Sequence, residues 1–240
     1  MKVISQQHYL MRLNKFLAHA GIASRRKSDN IIASGKVKIN DQICTDFSYK
    51  VTDDDCVRVG GEIVNLKNEK IVYLFHKPLG VISSVTDDRN RTTVMDFLPL
   101  EERLFPIGRL DRDTTGVLLI SNDGELANKL THPRYGIEKV YIASTYTEIQ
   151  KNVLLKLKHG IQLEDGTIAR GEIFFLRKSG KKYLWKIILK EGKKREVKRI
   201  IKVMGSKVID LHRESFAGIT LQNLKPGKYR RLKKKEIPKI

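Results

Sequence analysis

Carboxylates and arginines alternate in one short glycine-flanked loop, and these residue types together could perform nucleophilic chemistry. The loop spans Gly108–Gly116 and reads GRLDRDTTG, with its carboxylates at Asp111 and Asp113. A neighbouring arginine favours the charged form of a carboxyl group. Such a carboxylate can attack a sugar or base carbon, and it is a poor proton donor at neutral pH. Spacing alone leaves two alternatives open: loop aspartates that only bond nearby backbone amides, and a glycosidase-like carboxylate pair.

The elements that would position this loop belong to the later part of the chain, residues 71–240. The apolar run Val117–Ile120, directly after the loop, predicts a buried strand. Further strands are predicted at Ile71–Phe75, Val81–Val85, Glu138–Tyr146, Ile173–Leu176 and Leu184–Leu189, and helices at Leu126–Leu130, Asn152–Lys158 and Glu196–Met204. Strands dominate without alternating strictly with helices, which predicts a mixed, mainly antiparallel sheet with flanking helices. The basic tail from about residue 230 is expected to be partly disordered.

The earlier part of the chain, residues 11–66, predicts a separate small unit. Apolar residues from Leu13 to Ala20 share one helical face, and Ser24 is placed to cap a second helix that ends before Gly35. Short strands are predicted at Lys36–Asn40 and Val57–Val59. The polar segment at residues 65–70 is the predicted linker, so the chain is expected to be an α+β protein of two domains, 11–66 and 71–240.

The charge of the chain indicates a polyanionic partner. The 240 residues include 47 Lys and Arg against 27 Asp and Glu, a formal net charge of +20. The cations form three regions: seven basic residues and one acid in Arg12–Lys38, twelve and two in Arg177–Lys202, and eight and one in Lys225–Ile240. An acidic membrane surface is the competing explanation, but three separate regions fit a long, bent nucleic acid better.

The sequence contains no signal for a membrane-spanning, secreted or cysteine-stabilised protein. No apolar run approaches the ~18 residues of a spanning helix, and Met1–Leu10 lacks the apolar core of a signal peptide. Cys44 and Cys56 have no further Cys or His at metal spacing, which excludes a disulfide framework and a cysteine zinc site. We therefore expect a cytoplasmic protein with no membrane association.

Several long motifs, in the same order along the chain, resemble the pseudouridine synthases that modify bacterial ribosomal RNA. The catalytic loop of that family is similar to GRLDRDTTGVLLISNDG at Gly108–Gly124, and KPLG, THPRYGIEKVY, EGKKREVKR and LHRESFAGI also match. The stretch Arg12–Asn40 resembles the small RNA-binding module of a small-subunit ribosomal protein, the S4 domain. The resemblance covers nearly the whole chain.

The resemblance implies roles for particular residues. The essential aspartate corresponds to Asp111, and Arg109 would position the flipped nucleotide or its phosphate. Tyr141 corresponds to the aromatic residue that stacks on uracil. Lys198 corresponds to the basic residue that pairs with the aspartate, where relatives often have arginine. Contacts to RNA would come from basic residues of the first module: Arg12, Lys15, Arg25, Arg26, Lys27 and Lys36.

The implied reaction breaks the bond from ribose to the uracil nitrogen, turns the base and rejoins it through a ring carbon, with no metal or organic cofactor. The expected substrate is ribosomal RNA, free or in a precursor particle, handled by a monomer. The motifs favour the branch acting on the large subunit. A small-subunit target, or an RNA-binding ribosome-assembly protein without activity, are the alternatives.

Overall fold

The computed structural model describes residues 10–66, 69–99 and 103–240. Residues 1–9, most of the segment compared with a signal peptide, and residues 67 and 68 of the predicted linker lie outside this description. The chain divides into two compact units, and the boundary falls between Lys70 and Ile71. Each unit is described by itself below.

In its described residues, 10–66 and 69–70, the first unit contains two helices and six short strands. The helices are α1 (Leu13–His19) and α2 (Arg25–Ala33). The strands are β1 (Met11–Arg12), β2 (Val37–Ile39), β3 (Gln42–Ile43), β4 (Lys50–Val51), β5 (Val57–Val59) and β6 (Glu62–Ile63). Strands β3-β2-β5-β6 form an antiparallel sheet, and β1 pairs with β4.

The two predicted helices of this unit are confirmed, and local chemistry explains their ends. The hydroxyl of Ser24 accepts a hydrogen bond from the backbone N–H of Lys27 at 3.2 Å, which satisfies an otherwise free donor at the start of α2. Leu13, Leu17 and Ile32 are completely buried together under the sheet residue Val37. Burial of these side chains holds the short elements together, because helices this short are marginal alone.

The second unit is built on one large sheet. Its strands are β7 (Val72–Lys77), β8 (Phe105–Ile107), β9 (Thr114–Ser121), β10 (Lys139–Thr145), β11 (Ile161–Gln162), β12 (Ile168–Ala169), β13 (Glu172–Ser179), β14 (Lys182–Leu189), β15 (Val208–Phe216), β16 (Ile219–Thr220) and β17 (Tyr229–Arg231). The main order is β13-β14-β10-β15-β9-β7-β17, with β8 beside β9 and β16 beside β15, while β11 and β12 pair separately. Only the β9–β15 pairing is parallel among the described strand pairs. The predicted mixed, mainly antiparallel α+β fold is confirmed.

Helices and apolar residues cover this sheet on both faces. The helices are α3 (Gly124–Thr131), α4 (Lys151–His159) and α5 (Glu196–Val203), close to the predicted ranges. In β9, Leu118 and Ile120 point into the cluster shared with α4 and α5, while Val117 and Leu119 join the cluster under α3. This strand is buried on both faces, which explains its uninterrupted apolar sequence. None of the helices in the described ranges has the length and apolar character needed to cross a lipid bilayer.

Two expectations for this unit are wrong. Val81–Val85 forms no strand: Ile82 makes a single isolated bridge to Thr93. The segment forms a loop instead, in which the hydroxyl of Ser84 donates a hydrogen bond to the carbonyl of Thr86. The basic tail is folded, because β17 pairs with β7 and Leu232, in the tail, is 5% exposed. Leu232, buried next to the edge strand β17, anchors the basic tail, although the composition of the tail alone indicates disorder.

Candidate active site

A buried lysine holds the carboxylate loop in place. Lys77, at the end of β7, is 0% exposed, and its ammonium donates to the carbonyls of Thr114 (2.8 Å), Pro78 (3.0 Å) and Arg112 (3.4 Å). Burial lowers the pKa of Lys77 to about 8, against the opposing effect of Asp113 and Asp111. The lysine thus uses its donors on the backbone immediately around the acidic residues.

Two further contacts fix the same loop from the segment after Lys77. The hydroxyl of Ser83 donates to the carbonyl of Leu110 at 3.0 Å and accepts from its backbone N–H at 3.1 Å. The N–H of Gly80 donates to the carbonyl of Arg112 at 2.9 Å, and the Arg112 guanidinium donates back to the Gly80 carbonyl at 3.2 Å. Asp111 therefore sits on a backbone that is pinned on both sides.

The loop forms one wall of a cavity of about 130 Å³. Arg109, Asp111 and Tyr141 all line it, so three of the predicted site residues meet at one place. Arg109 is exposed, the carboxyl of Asp111 is about one-third exposed, and Tyr141 on β10 is 9% exposed. An aromatic side chain and a carboxylate that line one small cavity can hold a planar base and act on the sugar attached to it.

Lys198 reaches the acidic loop from α5, whose buried residues Val197 and Ile201 fix it on the unit's core. Its ammonium forms an ion pair with Asp113 and lies 3.8 Å from Oδ2 of Asp111. Partial burial alone would raise the pKa of Asp113, but the hydrogen bond and charge of Lys198 outweigh it and lower that pKa. The lysine thus touches both carboxylates, with its closer contact to Asp113.

The floor of the cavity contains charged side chains that are almost completely buried. Lys139, Glu196 and Arg213 are 6%, 4% and 2% exposed. Burial lowers the pKa of Lys139 and raises that of Glu196. The ammonium of Lys139 donates to the carbonyls of Ile137 (2.8 Å) and Lys190 (3.5 Å), which compensates its burial.

Three buried polar atoms of cavity-lining residues have no hydrogen-bond partner among the described residues. They are Oγ1 of Thr114, Oε1 of Glu196 and Nη2 of Arg213. Buried polar groups are nearly always hydrogen-bonded, so this concentration in one cavity is typical of a site that receives a polar ligand. Lys139 and Arg213 are not among the site residues predicted from the sequence. For Lys139 the available signal was a charged residue within the predicted strand Glu138–Tyr146.

The parallel β9–β15 pairing brings Arg213 to this floor. Gly116 of β9 lies opposite Arg213 of β15, and the two backbones approach so closely that a β-carbon on Gly116 would lie 2.2 Å from the Arg213 carbonyl oxygen. The residue's φ of +115° also favours glycine. The glycine that closes the acidic loop therefore permits the strand pairing that forms the cavity floor.

The predicted RNA-contacting residues all belong to the first unit. Arg25, Arg26 and Lys27 are exposed in the first turn of α2, next to the cap at Ser24. Arg12 and Lys36 are also exposed, and Lys15 is half-buried on α1. Side chains with this exposure are available to phosphates. Within the described ranges, no group of three His, Cys, Asp or Glu residues is arranged to hold a metal.

Comparison with known proteins identifies the family. Residues 71–202 match the RNA pseudouridylate synthase family, and residues 11–56 match the S4 domain. The chain belongs to the RNA pseudouridylate synthases. It is 42% identical to ribosomal large subunit pseudouridine synthase B of Bacillus subtilis (strain 168) over 95% of both chains. An RNA pseudouridine synthase of Aquifex aeolicus (strain VF5) is 38% identical over 96% of this chain and 93% of its own length.

A solved structure agrees with this assignment. A crystal structure of a pseudouridylate synthase superposes with a TM-score of 0.69 at 27% identity, covering 95% of this chain and 98% of that one. The family expected from the sequence motifs is confirmed, and so is the prediction that the chain is an enzyme. RNA pseudouridine synthases isomerise uridine to pseudouridine in RNA.

Proposed function

We propose that this enzyme isomerises uridine in the RNA of the large ribosomal subunit. The observation that carries the proposal is the 42% identity, over 95% of the chain, to the Bacillus subtilis enzyme named for that subunit. The isomerisation itself exchanges a carbon–nitrogen glycosidic bond for a carbon–carbon one without net oxidation, so the protein's task is to extract the base, stabilise charge and guide the ring.

In this proposal Asp111 is the catalytic carboxylate. It is one-third exposed at the cavity mouth, so it can approach the ribose of a nucleotide whose base lies inside. The carboxylate either attacks C1′ or assists departure of the base by its charge, and both routes need it ionised. The ammonium of Lys198 lies 3.8 Å from Oδ2 of this carboxylate.

The other predicted site residues would bind the substrate. Tyr141 lines the cavity, where stacking of its ring on the base would repay part of the few kcal/mol that base flipping costs. Arg109 is exposed at the same mouth, where a guanidinium suits the phosphate of the flipped nucleotide. Lys198, beside both loop carboxylates, would keep Asp111 oriented.

We assign RNA capture to residues 11–66 and catalysis to residues 71–240. The exposed cations at the start of α2 and at Arg12 and Lys36, together with Lys15, would hold phosphates by charge and shape. The enzyme would work as a monomer in the cytoplasm, on free RNA or on a precursor particle in which the target is still accessible.

Tritium release from uracil labelled at carbon five tests the proposal, because forming the new bond expels that hydrogen. Large- and small-subunit transcripts are assayed separately, with Asp111→Asn as the inactive control and Asp88→Asn, in an exposed loop, as the matched variant. We expect stoichiometric release from the large-subunit transcript by wild type and Asp88→Asn, and none by Asp111→Asn, which should still bind RNA.

The alternative outcomes are distinct. Release from the small-subunit transcript alone would overturn the proposed target. Unchanged release by Asp111→Asn would overturn the catalytic assignment. Release only from precursor particles would limit the substrate to assembled RNA and keep the rest of the proposal.

A further inference from the structure

Arg213 is a buried cation that the proposed mechanism has not yet used. Its Nε donates to the carbonyl oxygen of Val117 at 2.7 Å, and its guanidinium carbon lies 4.8 Å from the centre of the Phe216 ring. Nη2 is buried and has no hydrogen-bond partner in the part of the chain that the structure describes, although the residue lines the same cavity as Asp111 and Tyr141. One part of the guanidinium is thus anchored to the protein, and a donor is left over at the cavity.

A stability role accounts poorly for this arrangement. A guanidinium stays charged at all relevant pH values, and burying it with an unsatisfied donor destabilises a fold. Well-packed apolar residues commonly replace buried charges without loss of stability. A buried donor without a partner is instead common where a ligand supplies the acceptor.

The chemistry of the base provides such an acceptor. Uracil carries carbonyl oxygens O2 and O4 on either side of N3. Cleavage of the N1–C1′ bond leaves its electron pair on the ring, and the negative charge spreads onto both oxygens. A fixed cationic donor in a low-dielectric cavity stabilises such developing charge strongly.

We propose that Arg213 is a catalytic residue whose Nη2 binds a carbonyl oxygen of the flipped uracil and stabilises the ring anion formed when the glycosidic bond breaks. This inference rests on the proposed function, with Asp111 acting on the ribose of the same nucleotide. Nη2 would meet the edge of the base, and one face of the base would lie against Tyr141. The hydrogen bond from Nε to Val117 fixes the direction of the free donor.

The same contact suits the second half of the reaction. Turning the ring about the axis through N3 and C6 exchanges N1 with C5 and O2 with O4. One stationary donor can therefore face a carbonyl oxygen before and after the turn. The C5–C1′ bond then forms from the ring's electron pair, C5 loses its proton and N1 gains one, so atoms and charge balance.

Sulfur substitution in the RNA tests the contact directly. Oligonucleotides spanning the target site carry uridine, 2-thiouridine or 4-thiouridine there, and single-turnover rates are followed by nucleoside chromatography. Sulfur is the weaker acceptor, so replacing the bound oxygen should slow wild type about 10-fold, the effect of losing roughly one charged hydrogen bond. Arg213→Lys should lower kcat on uridine about 100-fold with little change in KM.

The decisive result is the combination of the two changes. In Arg213→Lys the sulfur effect should shrink to less than about 2-fold, because the interaction that it probes is already lost. Arg177→Lys makes the same chemical change on the exposed part of β13 and should keep the wild-type sulfur effect. If Arg213→Lys fails to fold, Arg213→Gln provides the same comparison, since its amide can still donate to the Val117 carbonyl.

The contrary outcomes distinguish failure of the role of Arg213 from failure of the proposed function. Wild-type activity with no sensitivity to either sulfur would overturn the role of Arg213 and leave the isomerisation standing. Equal sulfur effects in wild type and in the Arg213 variant would do the same. Absence of uridine conversion by wild type on both transcripts and precursor particles would overturn this inference together with the proposed function.

Discussion

The ammonium of Lys198 lies 3.8 Å from Oδ2 of Asp111, and it reaches that carboxylate from a different element of the fold. Asp111 belongs to the loop between β8 and β9, whereas Lys198 is in the first turns of α5. Asp113, also in the loop, holds the same ammonium in a closer ion pair. The two carboxylates therefore share one cation. Substitutions of Lys198 and Asp113 can separate their roles.

Removing the charge of Lys198 should impair catalysis, and removing that of Asp113 should not. We expect Lys198→Met to lower kcat by about 100-fold, because Asp111 loses the cation beside it. Lys198→Arg keeps the charge and should stay within about 5-fold of wild type. Asp113→Asn should stay within about 3-fold, since the ammonium remains available to Asp111.

Tritium release at saturating RNA measures all three variants. A loss in Asp113→Asn as large as that in Lys198→Met would mean that the lysine acts through Asp113. Equal loss in Lys198→Met and Lys198→Arg would instead point to the exact position of the ammonium rather than its charge.

Local sequence patterns predicted the longer helices and most of the longer strands, but not β15, the strand that contains Arg213. Strand β9 is an apolar run and α5 has helical spacing, so both could be predicted. Strand β15 was not predicted as a strand: His212, Arg213 and Glu214 interrupt the apolar alternation on which such predictions depend. Arg213 occupies an inward position that pattern reasoning reserves for apolar residues, which is expected where function overrides packing.

The contacts that hold the acidic loop depend on residues distant in sequence. Lys77 bonds the carbonyl of Thr114, 37 residues later, and Ser83 bonds Leu110, 27 residues later. Spacing within the loop contains no information about such partners. The resemblance to the family predicts that Asp111 is the essential aspartate, whereas the donors that hold its backbone are seen only in the three-dimensional structure.

The close approach of Gly116 to Arg213 predicts a large penalty for a single methyl group. Gly116→Ala should lower the free energy of unfolding by about 3 kcal/mol or more, because the new β-carbon would lie 2.2 Å from a backbone oxygen. Gly218→Ala is the matched control: its φ is also positive, at +76°, but nothing lies within 4 Å of the added carbon. Its cost should be about 1 kcal/mol.

Urea unfolding followed by circular dichroism measures both glycine variants. We also expect activity to fall in folded Gly116→Ala and to persist in Gly218→Ala, because only the first displaces the cavity floor. Equal stability loss in the two variants would show that strands β9 and β15 can separate without penalty.

Burial of Lys77 predicts a pH dependence of stability with a definite sign. Its pKa is about 8 in the folded protein and near 10.5 when the chain is unfolded. Between these values the unfolded chain binds more protons, so this residue makes the free energy of unfolding rise with pH. The stability of wild type relative to Lys77→Met should therefore increase from pH 8 to 10.5 and stay constant below pH 8.

Chemical denaturation at several pH values tests this relationship, and taking the difference between the two proteins cancels groups common to both. Lys181→Met, at an exposed site, is the control and should give a difference that does not follow this pattern. A wild-type advantage that shrinks above pH 8 would contradict a lowered pKa for Lys77.

Salt dependence should reveal whether the first turn of α2 contacts phosphates. A triple variant, Arg25→Ala, Arg26→Ala and Lys27→Ala, removes three exposed cations. Each phosphate contact that is lost reduces the number of counterions released on binding. The slope of log binding constant against log salt should therefore become shallower by about 2. A second triple variant removes three exposed lysines of α4, Lys151→Ala, Lys156→Ala and Lys158→Ala, and matches the charge change.

Filter binding to the large-subunit transcript, over a range of salt concentrations, gives both slopes. We expect the α4 variant to keep the wild-type slope to within about 0.5, because lysines that do not contact phosphates contribute little to counterion release on binding. At saturating RNA both variants should release tritium at the wild-type rate, since none of the six substituted residues lines the cavity beside Asp111. An equal change of slope in the two variants would mean that net charge, rather than contacts of α2, controls binding.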